Sequence, residues 1–163
     1  MKALRKIKKI TYLLLTAIMV FLGACGNTAE SEPEIEKEIQ TERNEEDAMD
    51  KIKIVIGTQT FTATLADNAA AGELKKMLPF TINMSELNGN EKYAYLDKGL
   101  PTKTSRVDRI HTGDIMLFGS DCLVLFYKDF STSYSYTPLG SVDDVEGFQE
   151  ALKGNSVTVE FQY

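Results

Sequence analysis

Seven residues have the types and spacing to hold a ligand: Tyr93, Tyr95, Phe130, Tyr134 and Tyr136, together with Arg106 and Arg109. Aromatic faces supply broad contact area and guanidinium groups orient a carbonyl or carboxylate, so this set could line a groove for an extended peptide or small ligand. The competing reading makes some of the rings barrel core and leaves both arginines solvated. Three further groups carry less chemistry. His111 lies between Asp108 and Asp114 and could act as a general base, although a lone histidine in a Thr-Gly turn is more often simply exposed. Cys122 has apolar neighbours, which favour a buried structural thiol over a reactive one. Ser131, Ser133 and Ser135 have no nearby histidine to activate them, so no hydrolase is read here.

Cys25 carries a different chemistry. The basic segment Met1–Ile10 and the apolar run Thr11–Phe21 have the order and length of a secretory signal, and the run is short for a membrane-spanning helix. Leu22-Gly23-Ala24-Cys25 then matches the lipobox of bacterial lipoprotein signal peptides, in which the cysteine thiol receives diacylglycerol. Two or three acyl chains give stable attachment. The expected partner of this end is therefore the membrane, with the rest of the chain on its extracytoplasmic face, at the cell surface or in the periplasm.

The elements that must position these residues divide the 163-residue chain into three parts: a lipoprotein signal peptide over 1–24, the lipidated cysteine with an acidic tether over 25–50, and a domain over 51–163. Residues 1–24 hold five basic groups and no acidic one, so their removal takes the formal charge from −6 to −11. Such an acidic surface opposes phosphate backbones, and nucleic acid is not an expected partner. Gly26–Asp50 carries ten acidic residues against Lys37 and Arg43. It has too little apolar surface to offset the entropy of ordering, and reads as a solvated spacer spanning roughly 30 Å. Two cysteines in unlike contexts imply no disulfide framework, and a single histidine makes no zinc site, so neither metal nor cofactor is expected.

From Lys51 the pattern becomes periodic. Ile52, Ile54 and Ile56 alternate with polar positions, then Phe61, Ala63 and Leu65 do the same, giving an opening hairpin. Asp67 or Asn68 can cap a helix over 69–78 that Pro79 stops. Phe80–Leu87 and Lys92–Tyr95 read as strands around an Asn88-Gly89-Asn90 turn, and Leu100–Thr112 as loop. The organising feature is Gly113–Tyr127, where the apolar runs Ile115–Phe118 and Cys122–Tyr127 flank Gly119-Ser120-Asp121 as a buried hairpin. Lys128–Thr137 is polar and aromatic, and Pro138–Ser141 reads as a connector. Ser141 and Asp144 form a capping-box pattern ahead of a helix through Val145, Phe148 and Leu152, and Val157, Val159, Phe161 and Tyr163 make a last strand. Many strands and two short helices imply a mainly β domain, a barrel or sandwich with the helices at its ends.

The phrases Tyr93-Ala94-Tyr95, Gly113-Asp114-Ile115-Met116-Leu117, Asp121–Tyr127 and Phe130–Tyr136, in this order of elements, resemble the bacterial cyclophilin-like domain family over about Lys51–Tyr163. The resemblance implies a closed β-barrel with two short capping helices, often on secreted or lipid-anchored proteins. Cyclophilins that act as peptidyl-prolyl isomerases pair an arginine with a Phe-x-x-Gln segment. Here Arg106 and Arg109 are followed by Phe118-Gly119-Ser120-Asp121, with no glutamine, so no catalytic residue carries over. The expected role is a non-catalytic binding module, with a divergent isomerase or folding helper for exported proteins as the alternative.

Overall fold

A computed structural model describes residues 50–163 of the chain. The expected signal peptide, Cys25 and nearly all of the acidic tether lie outside the described residues. The elements in order are β1 (Lys51–Ile56), β2 (Gln59–Leu65), α1 (Ala69–Lys76), β3 (Phe80–Leu87), β4 (Glu91–Tyr95), β5 (Ser105–Arg106), β6 (Arg109–Ile110), β7 (Asp114–Phe118), β8 (Cys122–Phe126), β9 (Phe130–Ser131), β10 (Ser135–Val142), α2 (Phe148–Ala151) and β11 (Ser156–Gln162).

Eight of the strands close into an antiparallel barrel in the order β2-β1-β11-β3-β4-β8-β7-β10, with β10 returning to β2. The closed cyclophilin-like barrel expected from the resemblance is the observed architecture. Its interior follows from period-two alternation. Ile52, Ile54 and Ile56 of β1, Phe61, Ala63 and Leu65 of β2, Ile115 and Leu117 of β7, Leu123 and Leu125 of β8, and Val159 and Phe161 of β11 all point into one core. Both hairpins read from the sequence are present, with Ile54 opposite Phe61 and Leu117 opposite Leu123.

Helix α1 is capped as expected, the Asn68 side chain accepting a hydrogen bond from the Ala71 amide at 3.0 Å. It seals the core with Ala70, Ala71 and Leu74. Among the described residues no helix is long and apolar enough to cross a membrane.

Two expectations fail in the second half of the domain. Pro138–Ser141 is not a connector but the middle of β10, the strand that closes the barrel. Proline and glycine are tolerated there because the register against β7 shifts between Pro138 and Gly140, a bulge that releases the ladder where β10 also turns onto β2. A Cβ at Gly140 would overlap the Thr64 carbonyl oxygen, so only glycine allows this approach. The expected capping box is also absent, because Ser141 belongs to β10. The helix begins later, with Gly147 at its N-cap in the left-handed region (φ 77°), and Val145 stays exposed outside it.

One end of the barrel is closed by a polar cluster. Lys92, fully buried, donates to Glu86 Oε2 at 2.6 Å and to the Gly154 carbonyl oxygen. Tyr127 donates its hydroxyl to the same Glu86 oxygen at 2.7 Å, and the Gly89 amide donates to Oε1 at 2.8 Å. Burial raises the Glu86 pKa, but the hydrogen bonds from Lys92, Tyr127 and Gly89 outweigh it and hold the carboxyl below its ordinary range.

Candidate functional site

The outer wall of the barrel carries a second, smaller core. Strand alternation that sends Lys92 and Ala94 inward must send Glu91, Tyr93 and Tyr95 outward, and the β8 residues opposite them, Phe126, Val124 and Cys122, face the same way. Met116 from β7 and Tyr136 from β10 extend this face. The ribbon of β6 and β9 lies over part of it, with Ile110 opposite Phe130 and both packed against the cluster. Where the ribbon stops short, a cleft of about 520 Å³ remains.

The cleft brings together all five aromatic residues singled out from the sequence, Tyr93, Tyr95, Phe130, Tyr134 and Tyr136. Tyr93 and Tyr95 stand edge to face at 6.0 Å, and Phe118 meets Tyr134 at 6.0 Å and Tyr136 at 5.7 Å. Their exposure is graded. Tyr136 is buried, whereas Tyr95 and Tyr134 keep 66% and 62% of their surface in solvent. The core reading of the rings therefore fits Tyr136 fully and Tyr93 and Phe130 in part, both half-buried against the same cluster. Burial, and then the charge of Glu91, push the Tyr136 hydroxyl up to about 12, so it is a neutral hydrogen-bonding group.

The two arginines are not part of this lining. Arg106 bonds Asp108 through Nε at 3.1 Å, and Arg109 reaches Asp129 at 3.4 Å, each on an exposed surface. Asp129 is held low by the Thr112 amide and hydroxyl, which donate to it at 2.8 and 3.0 Å, before Arg109 adds its charge. Surface aspartates thus claim both guanidinium groups, Asp108 close in sequence to Arg106 and Asp129 brought to Arg109 by the fold. His111 is exposed and also outside the cleft, its amide donating to Asp114 at 2.8 Å. Cys122 lies on the cleft floor with its thiol pushed up to about 11, first by burial and then by Asp121 and Glu91, which makes it a poor nucleophile.

The residue that sequence reasoning missed is Glu91. It lines the cleft with 8% of its surface exposed, and among the described residues its carboxylate has no hydrogen-bond or ion-pair partner. Burial, reinforced by the charge of Glu86, pushes its pKa up to about 7. The neighbouring Asn90 also lines the cleft, and its side-chain oxygen is buried without a donor. An available signal was the spacing of Glu91, Tyr93 and Tyr95, which places an acid on the aromatic face of a strand. Starting that strand at Lys92 hid it. Among the described residues no group of three or more His, Cys, Asp or Glu side chains is arranged to hold a metal ion.

A closed barrel of eight antiparallel strands with two short helices is a cyclophilin-like fold. Residues 54–162 match the model of the cyclophilin-like family, and the chain belongs to that family. No curated protein matches it. Among solved structures, the hypothetical protein AF2241 from Archaeoglobus fulgidus, determined in solution, is similar at 14% sequence identity and a TM-score of 0.46, over 69% of this chain and 92% of that one.

Proposed function

We propose that the protein is a lipid-anchored, extracytoplasmic module that binds a peptide or small ligand in the outer-wall cleft without chemical turnover. The observation that carries the binding role is the grouping of exposed Tyr95, Tyr134 and Phe118 around a concave floor that holds the buried Tyr136 and the half-buried Tyr93 and Phe130, since apolar surface held open to solvent has a cost that a ligand removes. Non-catalytic binding is preferred over prolyl isomerisation because the lining offers aromatic faces and acceptors, while both arginines are engaged elsewhere. The anchor rests on the order of basic segment, apolar run and Leu22-Gly23-Ala24-Cys25, and an acidic spacer after it would hold the domain off the bilayer.

Mass spectrometry of the native protein tests the anchor: an N-terminus at Cys25 bearing acyl chains is expected, and an intact Met1–Ala24 segment would refute it. Binding is tested by NMR shift mapping with a mixed peptide pool. Shifts should concentrate on residues 91–95 and 130–136 and vanish in Tyr134→Ala, while Arg106→Ala leaves them unchanged. Shifts that map instead to the Arg106 surface would remove the cleft from the reading. A protease-coupled assay on a proline peptide showing cleft-dependent acceleration would replace binding with catalysis.

A further inference from the structure

The cleft carries a chemical preference that its rings alone do not set. Six aromatic side chains would accept any apolar group, yet the floor also contains Glu91, a residue 8% exposed whose carboxylate opens only to the cleft and has no partner among the described residues, next to a buried amide oxygen that has no donor. Buried acceptors are ordinarily satisfied within the fold, and an unpaired carboxylate is among the costlier groups to leave this way. A ligand that brings donors and positive charge meets this deficit. Ring faces are the negative ends of aromatic quadrupoles and attract the same ligand.

Resting on the reading of this cleft as a binding site, we propose that it recognises an organic cation, an alkylammonium or guanidinium group whose N–H donors meet Glu91 while its charge lies against Tyr93, Tyr95 and Tyr134. The arrangement suits the end of a lysine or arginine side chain as well as a free amine. The acidic net charge of −6 favours the approach of a cation. Glu91 comes from the floor at the start of β4, Tyr93 and Tyr95 continue the same face, and Tyr134 stands on the segment between β9 and β10. A cation entering from the open side meets exposed rings first and the carboxylate last. Lys92 does not compete for Glu91, because it points to the opposite face of β4 and is held by Glu86 and Gly154.

The test is NMR titration of the full chain in non-ionic detergent, so that no cationic headgroup occupies the site, at pH 8. The probes are acetyl-Gly-Lys-Gly-amide, its norleucine and glutamate counterparts, and butylammonium. The lysine peptide should bind at least about tenfold more tightly than the norleucine peptide, and Glu91→Gln should bring that ratio close to one. Tyr95→Leu, at an exposed position that leaves the core untouched, should reduce the same ratio severalfold, and it keeps the test decisive if Glu91→Gln folds poorly. Butylammonium binding as tightly as the lysine peptide identifies a free amine as the source, and binding of the peptide alone identifies a side chain. Equal or tighter binding of the norleucine or glutamate peptide would overturn cation recognition while leaving the cleft a binding site. A lysine preference that survives Glu91→Gln would overturn the role of the carboxylate. No shift at residues 91–95 with any probe would overturn both readings.

Discussion

Replacing Glu91 with glutamine should stabilise the protein, and only above a defined pH. The carboxyl titrates at about 7 in the fold against an ordinary value of 4.5. That gap corresponds to about 3 kcal/mol at full weight, and about 2–3 kcal/mol once the solvent at the open side of the cleft is allowed for. The sign follows from proton counts. Between 4.5 and about 7 the folded protein holds a proton that the unfolded chain has released, so stability is fully present below pH 4.5 and is lost as pH rises through 7. Glutamine has no such proton. The groups around Glu91 do not obscure the window: the Cys122 thiol and the Tyr136 hydroxyl are raised to about 11 and 12, and the Glu86 carboxyl is shifted down, away from the window. Urea titrations of both proteins at pH 4.5, 6, 7 and 8 give the comparison, urea being chosen because guanidinium is itself a candidate occupant of the cleft. The variant should match the wild type at pH 4.5 and exceed it by about 2–3 kcal/mol at pH 8. A stability difference that does not change with pH, or a less stable variant at pH 8, would show that Glu91 has a partner in solution and would remove the basis for its unpaired state.

Three further outcomes follow from the fold. Lys92→Met should cost about 2–4 kcal/mol in urea denaturation, since it leaves the Gly154 carbonyl oxygen without its side-chain donor and Glu86 without its cation in a largely buried cluster. Gly140→Ala should destabilise by more than about 2 kcal/mol or prevent folding, read by circular dichroism, because its Cβ overlaps the Thr64 carbonyl oxygen where β10 closes onto β2. A chain beginning at Asp50 should unfold within a degree or two of one beginning at Gly26 by scanning calorimetry, the Asp50 carbonyl oxygen being retained as acceptor for the Leu65 amide.

Local pattern made much of the barrel legible. Alternating Ile52, Ile54 and Ile56 against Phe61, Ala63 and Leu65 specifies a hairpin without any knowledge of the rest, and Gly119-Ser120-Asp121 between two apolar runs specifies another. Closure was not legible by the same means. It depends on β1 meeting β11 and β2 meeting β10, pairings between residues far apart in the chain, and only the family resemblance carried it. Strand β10 was hidden because its Ser, Thr, Pro and Gly content mimics a loop, although a bulge lets Pro138 and Gly140 sit inside a sheet. The second helix was placed too early because Ser141 and Asp144 have capping-box spacing, a local preference overridden when Ser141 pairs with Asp114 and Thr64.

The candidate site divides along the same line. Tyr93 and Tyr95 announce an aromatic strand face by their spacing, and Tyr134 and Tyr136 announce aromatic surface nearby, so the rings were found. Charged groups carry no such periodic mark: Arg106 and Arg109 stand as ligand-orienting candidates with solvent as the competing reading, and Glu91 is not singled out at all. Arg106 and Arg109 are spent on neighbouring aspartates, Lys92 is buried inside the barrel, and Glu91 is the charge that faces the cleft. Adjacent residues of one strand, Glu91 and Lys92, end on opposite faces with opposite fates. The lysine is satisfied by two acceptors within the fold, and the glutamate by none among the described residues. A barrel that pairs one buried charge and leaves its neighbour unpaired concentrates its electrostatic cost at a single carboxylate, and that carboxylate lies on the floor of a cleft open to solvent and walled by aromatic rings.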